Sequence, residues 1–477
     1  MATRDTITSS TGPTTARSAG SAAPGGWIPA RRRSPLNWRE VAVLAIPATG
    51  LFVACALYGG NHGAAPLTLA AAEAALLGGW LALSPRGRRA IAEGAVLTWP
   101  AILFALTLLV ATWSLTPWIP GGPPPVWGWI DALGAATLDR SATLIEMVKL
   151  CGLACLFLVG FIQGARPNFA RATLRALIVL GAVYGFLALV AFLADGTHTW
   201  QARRLMGGFL SANSSGTLFG ALTLLGVSWL IQALKPRGPD RAPRSAMALF
   251  VEAAPRAAAA ILFAGCLLLT ASRAAIATTG GLMIVYLIWE GVTGGLKGRA
   301  GAAMAATWFA YLGVLLAGAG AVAVTRFDRF AADLAERGQM FALHWDMFLA
   351  SPLFGWGLGT FDLVNQQIMT PSSHDVLWKL RAAHNVVLQW LEEAGMIGAA
   401  PMFLCLALVI AMTWAGLRQR QESRSWLRAL LLIDALFLIH GMSDFALQVP
   451  SLSAFWAFAL GLQLSMAHPL SRRRPSR

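Results

Sequence analysis

Long runs of apolar residues recur along most of this chain, and they constrain its fold more than any other feature. About twelve runs are long enough to cross a bilayer, because a spanning helix needs roughly 20 mostly apolar residues. Their approximate bounds are 41–58, 64–83, 95–116, 142–163, 176–194, 216–234, 257–271, 274–290, 302–324, 396–416, 429–447 and 451–467. Charged residues make up only 12% of the 477 residues, against about 25% in an ordinary soluble domain. The sequence therefore predicts an all-α, polytopic membrane protein with about 12 transmembrane helices, and it argues against a soluble enzyme, a disordered protein or a secreted disulfide scaffold.

The distribution of basic residues predicts which way the helices run. With the N-terminus placed in the cytoplasm, the inner segments hold 27 of the 37 Lys and Arg residues, the outer segments hold 9, and Lys149 falls within a span. Cytoplasmic loops of membrane proteins carry an excess of Lys and Arg, so we expect both termini to be cytoplasmic. Basic inner loops also explain the net charge of +15 better than nucleic-acid binding does, and we expect no nucleic-acid partner.

The predicted spans divide the chain into segments of different character. The segments are a disordered cytoplasmic tail (1–40), transmembrane helices 1–9 (41–324), a long periplasmic loop (325–384), transmembrane helices 10–12 (385–467) and a basic cytoplasmic tail (468–477). A loop as long as 325–384 is usually functional or disordered, and its many Trp and Phe residues favour a folded one. Its stretch 334–349 has helical spacing, and Ser351 with Pro352 is expected to end that helix.

Isolated arginines on the predicted outer side form the first group of candidate site residues. Arg273 lies in a tight hairpin between the seventh and eighth spans, and Arg203 and Arg204 precede a Gly- and Ser-rich stretch that leads into the sixth span. Such a stretch before a helix N-terminus suits an anion, although Ser and Gly capping alone also explains it. An arginine at a membrane helix end can instead reach the lipid headgroups. Since the positive-inside rule disfavours outer arginines, these three need a reason to be there.

His384 is the candidate for catalysis on the same side. A helical reading of residues 383–395 places His384 on an apolar face and Asn385 with Gln389 on a polar one. A single His on an apolar stripe is more often a packed core residue than a catalyst, so the spacing leaves both roles open. The other outer histidines rank lower on the same grounds; they are His198, His344 and His374. No His, Asp or Glu cluster has metal-ligand spacing and no nucleotide-binding loop motif occurs, so we expect neither a metal nor another cofactor.

Four sequence blocks, taken in order, resemble the O-antigen ligase and O-antigen polymerase (Wzy-type) family. They are Arg-Leu-Met-Gly-Gly-Phe at 204–209 with Asn213, Ala-Ser-Arg-Ala-Ala at 271–275, Ser-Pro-Leu-Phe-Gly-Trp-Gly-Leu-Gly-Thr-Phe at 351–361, and the stretch 384–395 that begins His-Asn and ends Glu-Ala-Gly. The resemblance covers roughly residues 200–410, and the order of the blocks around the long outer loop makes it specific. Asn213 and Ser214 stand where the family often has Pro-Asn, and the Arg203–Arg204 doublet leaves open which arginine matches.

The resemblance implies a fold, a reaction and a location. The fold is a GT-C-like arrangement of membrane helices with one long periplasmic loop, and the enzyme is an inverting, metal-independent glycosyltransferase of the bacterial cytoplasmic (inner) membrane. The implied donor is a glycan linked to a polyprenyl (undecaprenyl) diphosphate. The implied acceptor is lipid A-core for a ligase in lipopolysaccharide biosynthesis, or a second lipid-linked glycan for a polysaccharide polymerase, with membrane lipids around the protein. The implied site residues are His384 and Arg273 for catalysis, Arg203, Arg204 and Arg273 for the diphosphate, and Asn385, Gln389 and Trp356 for acceptor or loop contacts.

These residue types fit the chemistry of such a transfer. A diphosphate leaving group needs cations to stabilise its developing charge, and the planar fork of Arg pairs with phosphate oxygens in two places at once. The acceptor hydroxyl needs a base, and the ordinary pKa of His, about 6.5, suits that role. We expect the nearby Arg381 to keep His384 neutral by opposing a second positive charge.

Several choices stay open at this stage. The sequence does not decide between ligase and polymerase, nor does it identify the sugars, the linkage or the oligomeric state. A twelve-helix membrane transporter is the alternative function, with Glu73 and Asp434 as its best candidates for charges at the bilayer midplane. The long, aromatic outer loop favours the transferase, because transporters of this size place their binding groups on helices near the midplane.

Overall fold

Every secondary-structure element in the described part of the chain is a helix. The computed structural model describes residues 36–129, 133–195, 203–235, 245–293, 313, 327–420 and 423–468, with the backbone alone for 327–334. The predicted ninth span (302–324) except residue 313, His198 and nearly all of both predicted tails lie outside these residues. The predicted N-terminal tail extends slightly too far, because residues 38–40 already belong to the first helix.

The helices are numbered α1 to α16 in chain order. They are α1 Trp38–Ala56, α2 Ala65–Leu83, α3 Pro85–Ala92, α4 Thr98–Ser114, α5 Val126–Trp129, α6 Arg140–Gly164, α7 Pro167–Ala194, α8 Ala212–Leu234, α9 Ala246–Leu269, α10 Arg273–Val292, α11 Phe327–Ala350, α12 Phe361–Gln367, α13 His374–Leu377, α14 Val386–Gln419, α15 Arg424–Gly441 and α16 Pro450–Ala467. Among the described residues, nine helices are long and apolar enough to cross a membrane, namely α1, α2, α4 with the turn before it, α6 to α10, and α14. The chain is thus an all-α, polytopic membrane protein, as the sequence predicts.

The last two predicted spans correspond to α15 and α16, which form the interior of the bundle. α16 is buried along its whole length and packs against α6. Glycines make this close approach possible: a Cβ on Gly461 would lie 1.9 Å from the Phe157 carbonyl oxygen, and one on Gly160 would lie 2.2 Å from that of Phe458. Small residues at a helix interface let the two backbones come together, which is a common way for membrane helices to associate.

The predicted hairpin between the seventh and eighth spans is confirmed by α9 and α10. Only Thr270, Ala271 and Ser272 separate the two helices, and Ala271 adopts a left-handed backbone conformation with φ of 48°. α9 has 24 residues and is therefore longer than the short span that hydropathy suggested. The turn places Arg273 at the first position of α10.

The long loop is folded and is largely helical where the structure describes it. α11 covers the predicted helix at 334–349 and ends at Ala350, directly before Ser351 and Pro352. α14 begins at Val386, ten residues before the predicted span, and it is interrupted at Gly395, where φ is 60°. A Cβ at Gly395 would lie 2.3 Å from the Leu353 carbonyl oxygen. The first turns of α14 therefore pack under the loop, and the remainder of α14 corresponds to the predicted tenth span.

Candidate functional site

Three of the four sequence blocks, at 204–213, 271–275 and 384–395, come together at one end of the helix bundle, which we call the site end. It is formed by the start of α8, the α9–α10 hairpin, the start of α14 and the turn 442–449 between α15 and α16. The Leu205 backbone N–H donates to the Leu269 carbonyl at 2.8 Å, which joins the first block to the hairpin. On the other side, the Gln448 side chain donates to Gln389 of α14 at 3.0 Å.

The two neighbouring arginines, Arg203 and Arg204, have different surroundings. Arg204 Nε donates to the Thr270 carbonyl at 2.9 Å and Arg204 Nη2 donates to Asn213 Oδ1 at 2.9 Å, so its guanidinium is held at the site end. Arg203 instead lies over the ring of Phe192, with its central carbon 4.7 Å from the ring centre. The geometry thus separates an arginine that is oriented within the cluster of blocks from one that packs on an aromatic side chain of α7.

Arg273 occupies the exposed N-terminus of α10, three residues after the carbonyl that holds Arg204. The helix dipole makes this end of α10 electropositive, because its first backbone N–H groups point out of the helix. The sequence placed Arg273 and Arg204 in one outer site, and their two blocks are joined by the hydrogen bonds of the Leu205 backbone and the Arg204 side chain.

His384 lies two residues before the start of α14 and is not helical. Its φ is 50°, in the left-handed region that non-glycine residues rarely adopt, and Asn385 rather than His384 caps the helix. The helical reading that put His384 on an apolar helix face was therefore wrong. The ring packs edge-on against Phe445 at a centre-to-centre distance of 4.8 Å, and Nδ1 is 4.0 Å from Asp444 Oδ1.

The electrostatic surroundings of His384 favour its neutral form. Burial, followed by the positive charge of Arg337, lowers the pKa of His384 from 6.5 to about 4. The sequence assigned this effect to Arg381, and that assignment was wrong. The Arg381 side chain is 72% exposed and pairs with Asp362 at 3.8 Å. Arg337 is the relevant cation because α11 brings it to the turn that follows α15, where its Nη1 donates to the Ser443 carbonyl at 2.9 Å.

Asp444 is the acidic group of the cluster, and it is almost completely buried. Burial raises the pKa of Asp444 to about 6, while the Phe445 N–H, the Asn213 side chain and the charges of Arg337 and Arg204 act in the opposite direction. We refer to Arg204, Arg337, His384 and Asp444, with Asn213 between two of them, as the polar cluster. It contains the kinds of groups that can bind an anion and move a proton.

Arg337 and Asp444 are the members that sequence reasoning missed. Arg337 was counted only among the outer basic residues, and Asp444 was assigned to the interior of a predicted span. A weak signal existed for each of them. Arg337 is another outer arginine that the positive-inside rule disfavours, and Asp444 follows a Gly-Met-Ser sequence that suits a helix end. Neither signal indicates which distant residue it meets.

Asn385, Gln389 and Trp356 are held by local hydrogen bonds. Asn385 Oδ1 accepts from the backbone N–H groups of residues 387 and 388 and so caps α14. Gln389 is buried, where it accepts from the Ala383 N–H at 3.2 Å and donates to Glu393 at 2.9 Å. Trp356 Nε1 donates to the Met347 carbonyl at 2.8 Å. The first two residues thus fix the backbone on both sides of His384, whereas the hydrogen bonds of Trp356 secure the loop after α11.

The glycine-rich turn 355–359 is pinned to α14 through backbone groups. The Gly357 N–H donates to the Glu393 carbonyl at 2.8 Å, and the Gly359 N–H donates to the Glu393 carboxylate at 2.8 Å. All three glycines of the turn have positive φ. A Cβ at Gly357 would lie 1.9 Å from Thr137 Oγ1, so only glycine fits there. The turn is therefore a structural connection between the long loop, α14 and residue 137.

The remaining candidates have other surroundings in the described structure. Asp434 accepts from Trp456 Nε1 at 2.8 Å and from Gln463 at 2.7 Å, so it is satisfied within the bundle. Glu73 is buried between α2 and α6 beside Gly152. His374 is exposed and stacks on Trp378. Within the residues that the structure describes, no group of three or more His, Cys, Asp or Glu side chains is arranged to hold a metal ion.

Residues 258–403 match the family model described as O-Antigen ligase. The matched stretch includes Arg273, Arg337 and His384, whereas Arg204 and Asp444 lie outside it. No curated protein matches the chain.

Proposed function

We propose, because residues 258–403 match the family model described as O-Antigen ligase, that this chain transfers a glycan from a polyprenyl diphosphate carrier to an acceptor hydroxyl. The acceptor is lipid A-core if the protein is a ligase, or a second lipid-linked glycan if it is a polymerase. The observation that carries the proposal is the polar cluster, in which two arginines, a neutral histidine and a buried aspartate from distant parts of the chain meet at the site end.

The arginines are proposed to bind the donor diphosphate. Arg204 is oriented in advance by the Thr270 carbonyl and Asn213, and Arg337 by the Ser443 carbonyl. Arg273 adds a third cation at the N-terminus of α10, where the helix dipole also favours an anion. Charge develops on the diphosphate as the bond to the sugar breaks. Cations that are already in place stabilise that charge without reorganisation, and removing one such group typically costs about 10²–10³ in rate.

His384 is proposed to be the general base. Its neutral imidazole can accept the proton of the acceptor hydroxyl as the oxygen attacks the anomeric carbon. Attack on the side opposite the leaving diphosphate inverts the configuration at that carbon in one step. A donor diphosphate on Arg337 would offset the positive charge that depresses the pKa of His384, so the base becomes stronger when the donor is bound. The Asp444 carboxylate, 4.0 Å from His384 Nδ1, is placed to stabilise the imidazolium that results.

The site end is proposed to face the periplasm, with the protein in the bacterial cytoplasmic membrane and both termini in the cytoplasm. The basic residues support this orientation, since 27 of the 37 Lys and Arg residues then fall on the cytoplasmic side. A donor anchored in the membrane by its lipid would present its diphosphate at the level of Arg273, where α10 begins. The acceptor hydroxyl would reach His384 from the aqueous side of the loop.

Analysis of the surface glycans of a deletion strain tests this function and distinguishes a ligase from a polymerase. Polymer that accumulates on its lipid carrier without attachment to lipid A-core indicates a ligase. Single repeats that are attached without being polymerised indicate a polymerase. Complementation with the wild-type gene should restore the normal profile, and complementation with His384→Ala should not. A deletion strain with an unchanged glycan profile would refute the proposed function.

A further inference from the structure

The buried pair of His344 and Glu392 lies outside the polar cluster and has no role in the proposed chemistry. His344 Nδ1 is 2.7 Å from Glu392 Oε2, and both side chains are completely buried. The pair joins α11 of the long loop to the first turns of α14. Among the described residues, His344 Nε2 and Glu392 Oε1 are buried without a hydrogen-bond partner. Each side chain is therefore held by its hydrogen bond to the other.

We propose that the His344–Glu392 pair is a positioning element that holds Arg337 against the turn bearing Asp444, and so sets the affinity of the site for the donor diphosphate. The inference rests on the proposed function, because it assigns the pair to the donor side of that reaction. His344 and Glu392 are positioning residues here and not catalytic ones, since they would act on the substrate only through Arg337.

The helical geometry of α11 connects the pair to Arg337. His344 follows Arg337 by seven residues, which is about two turns of an α-helix, so both side chains project from the same face. The buried residues Met340 and Phe348 lie on this face as well. The face is thus attached at two points: through His344 to α14, and through Arg337 to the Ser443 carbonyl. Arg337 has a long, flexible side chain, and the position of its guanidinium depends on where α11 is fixed.

Glu392 of α14 also holds the turn that follows α11. Its backbone carbonyl accepts from the Trp356 N–H at 2.9 Å, while its side chain bonds His344. On the other side of His344, the ring of Phe361 stacks on the imidazole at a centre-to-centre distance of 4.6 Å. Glu392 therefore fixes α11 and the chain after it to the same turn of α14. A change in the pair should shift α11 without removing the glycine turn, which is held separately by Glu393.

The chain supplies a matched control for the loss of a buried carboxylate. Glu290, near the end of α10, is also completely buried, and it pairs with Arg428 at 2.9 Å and with Lys235 at 3.1 Å. It lies 17 residues after Arg273 on the same helix, about 25 Å away at 1.5 Å per residue. Glu392→Gln and Glu290→Gln make the same chemical change at two completely buried carboxylates. Of the two, only Glu392 is joined to α11.

The experiment measures binding of a sugar-free polyprenyl diphosphate to the full-length protein in nanodiscs, with thermal stability measured in parallel. We expect Glu392→Gln to weaken binding about tenfold and Glu290→Gln to leave it within twofold of wild type. Because the pair is proposed to act through Arg337, the double variant Glu392→Gln/Arg337→Ala should bind no more weakly than Arg337→Ala alone. His344→Gln, which can still form a hydrogen bond to Glu392, should retain more affinity than His344→Leu.

The outcomes separate the inference from the function on which it rests. Wild-type protein that does not bind the polyprenyl diphosphate refutes the proposed function itself. Wild-type protein that binds while Glu392→Gln binds equally well refutes the positioning role alone. Losses that multiply in the double variant also refute it, since they would show that the pair and Arg337 act independently. Equal losses in Glu392→Gln and Glu290→Gln would assign the effect to general destabilisation and overturn the inference.

Discussion

The pH dependence of transfer should reveal the position of Arg337 beside His384. Burial and Arg337 lower the pKa of His384 from 6.5 to about 4, a difference that corresponds to about 3 kcal/mol against the imidazolium. The neutral base is therefore present above a pH of about 4. At pH 5 about nine-tenths of the enzyme would hold neutral His384, whereas an imidazole with the ordinary pKa would be only about 3% neutral. Between pH 7 and pH 5, protonation of His384 itself should lower kcat/KM of the wild type little, while protonation of an unperturbed histidine would cost about twentyfold. Asp444, whose pKa is about 6, titrates in the same range, so the contribution of His384 is read in Asp444→Asn.

Two kinetic parameters report the pKa of His384 separately in the free enzyme and in the donor complex. The pH dependence of kcat/KM reports groups of the free enzyme, and that of kcat reports groups of the complex. A diphosphate bound at Arg337 offsets the charge that opposes the imidazolium, so the acid limb of kcat should lie at a higher pH than that of kcat/KM. Arg337→Gln removes the same charge permanently. In the residual activity of this variant, the acid limb of kcat/KM should move from near pH 4 toward 6.5.

The matched control for this shift is Arg381→Gln. Arg381 is close to His384 in sequence, but its side chain is exposed and pairs with Asp362. Its removal should therefore leave the acid limbs of kcat and of kcat/KM at the pH values of the wild type. The measurement uses initial rates of glycan transfer in proteoliposomes between pH 4 and pH 8. An acid limb of kcat/KM near 6.5 that is still present in Asp444→Asn, or a limb that moves in Arg381→Gln and not in Arg337→Gln, would refute the electrostatic reasoning.

Three further predictions follow from the geometry. Arg204→Ala should lower the rate about 10²–10³-fold in the reconstituted transfer assay, whereas Arg203→Ala should retain most activity because Arg203 packs on an aromatic ring; a larger loss in Arg203→Ala would reverse this assignment. Gly357→Ala should destabilise the protein by about 1–3 kcal/mol through steric overlap and backbone strain, seen as a lower melting temperature in detergent, while Gly281→Ala, where a Cβ meets no atom within 4 Å, should not. Alkaline phosphatase fused after residue 360 should be active and the same fusion at the C-terminus inactive, and an inactive fusion at 360 would reverse the proposed orientation.

The apolar runs and the helix in the long loop could be predicted from the sequence because both depend on local pattern. Burial in lipid requires about 20 apolar residues in succession, so α1, α2 and α6 to α10 correspond to visible runs. The helix α11 has regular spacing and a Pro shortly after its end. The interruption at Gly395 could not be foreseen, since it arises from the close approach of the Leu353 backbone, a contact between segments that are 42 residues apart.

The candidate site was predictable only in part, for a related reason. Arg204, Arg273 and His384 lie in blocks that a family resemblance makes visible. Asp444 and Arg337 join them through tertiary contacts that no spacing along the chain specifies. Proximity in sequence also misled, because Arg381 is three residues from His384 yet extends into solvent, while Arg337 approaches from 47 residues away. Electrostatic partners are set by the fold, so their identification needed the structure.

Reconstituted transfer with purified protein tests the central proposal most directly. Wild-type protein and His384→Ala are incorporated into proteoliposomes with a polyprenyl-diphosphate-linked glycan and an acceptor, and both the glycan product and the released polyprenyl diphosphate are quantified. Wild-type protein should form one equivalent of polyprenyl diphosphate for each glycan transferred. His384→Ala should bind the donor and keep its melting temperature while turnover falls about 10²–10⁴-fold. Wild-type protein that transfers no glycan, or His384→Ala that transfers it at the wild-type rate, would contradict the proposal.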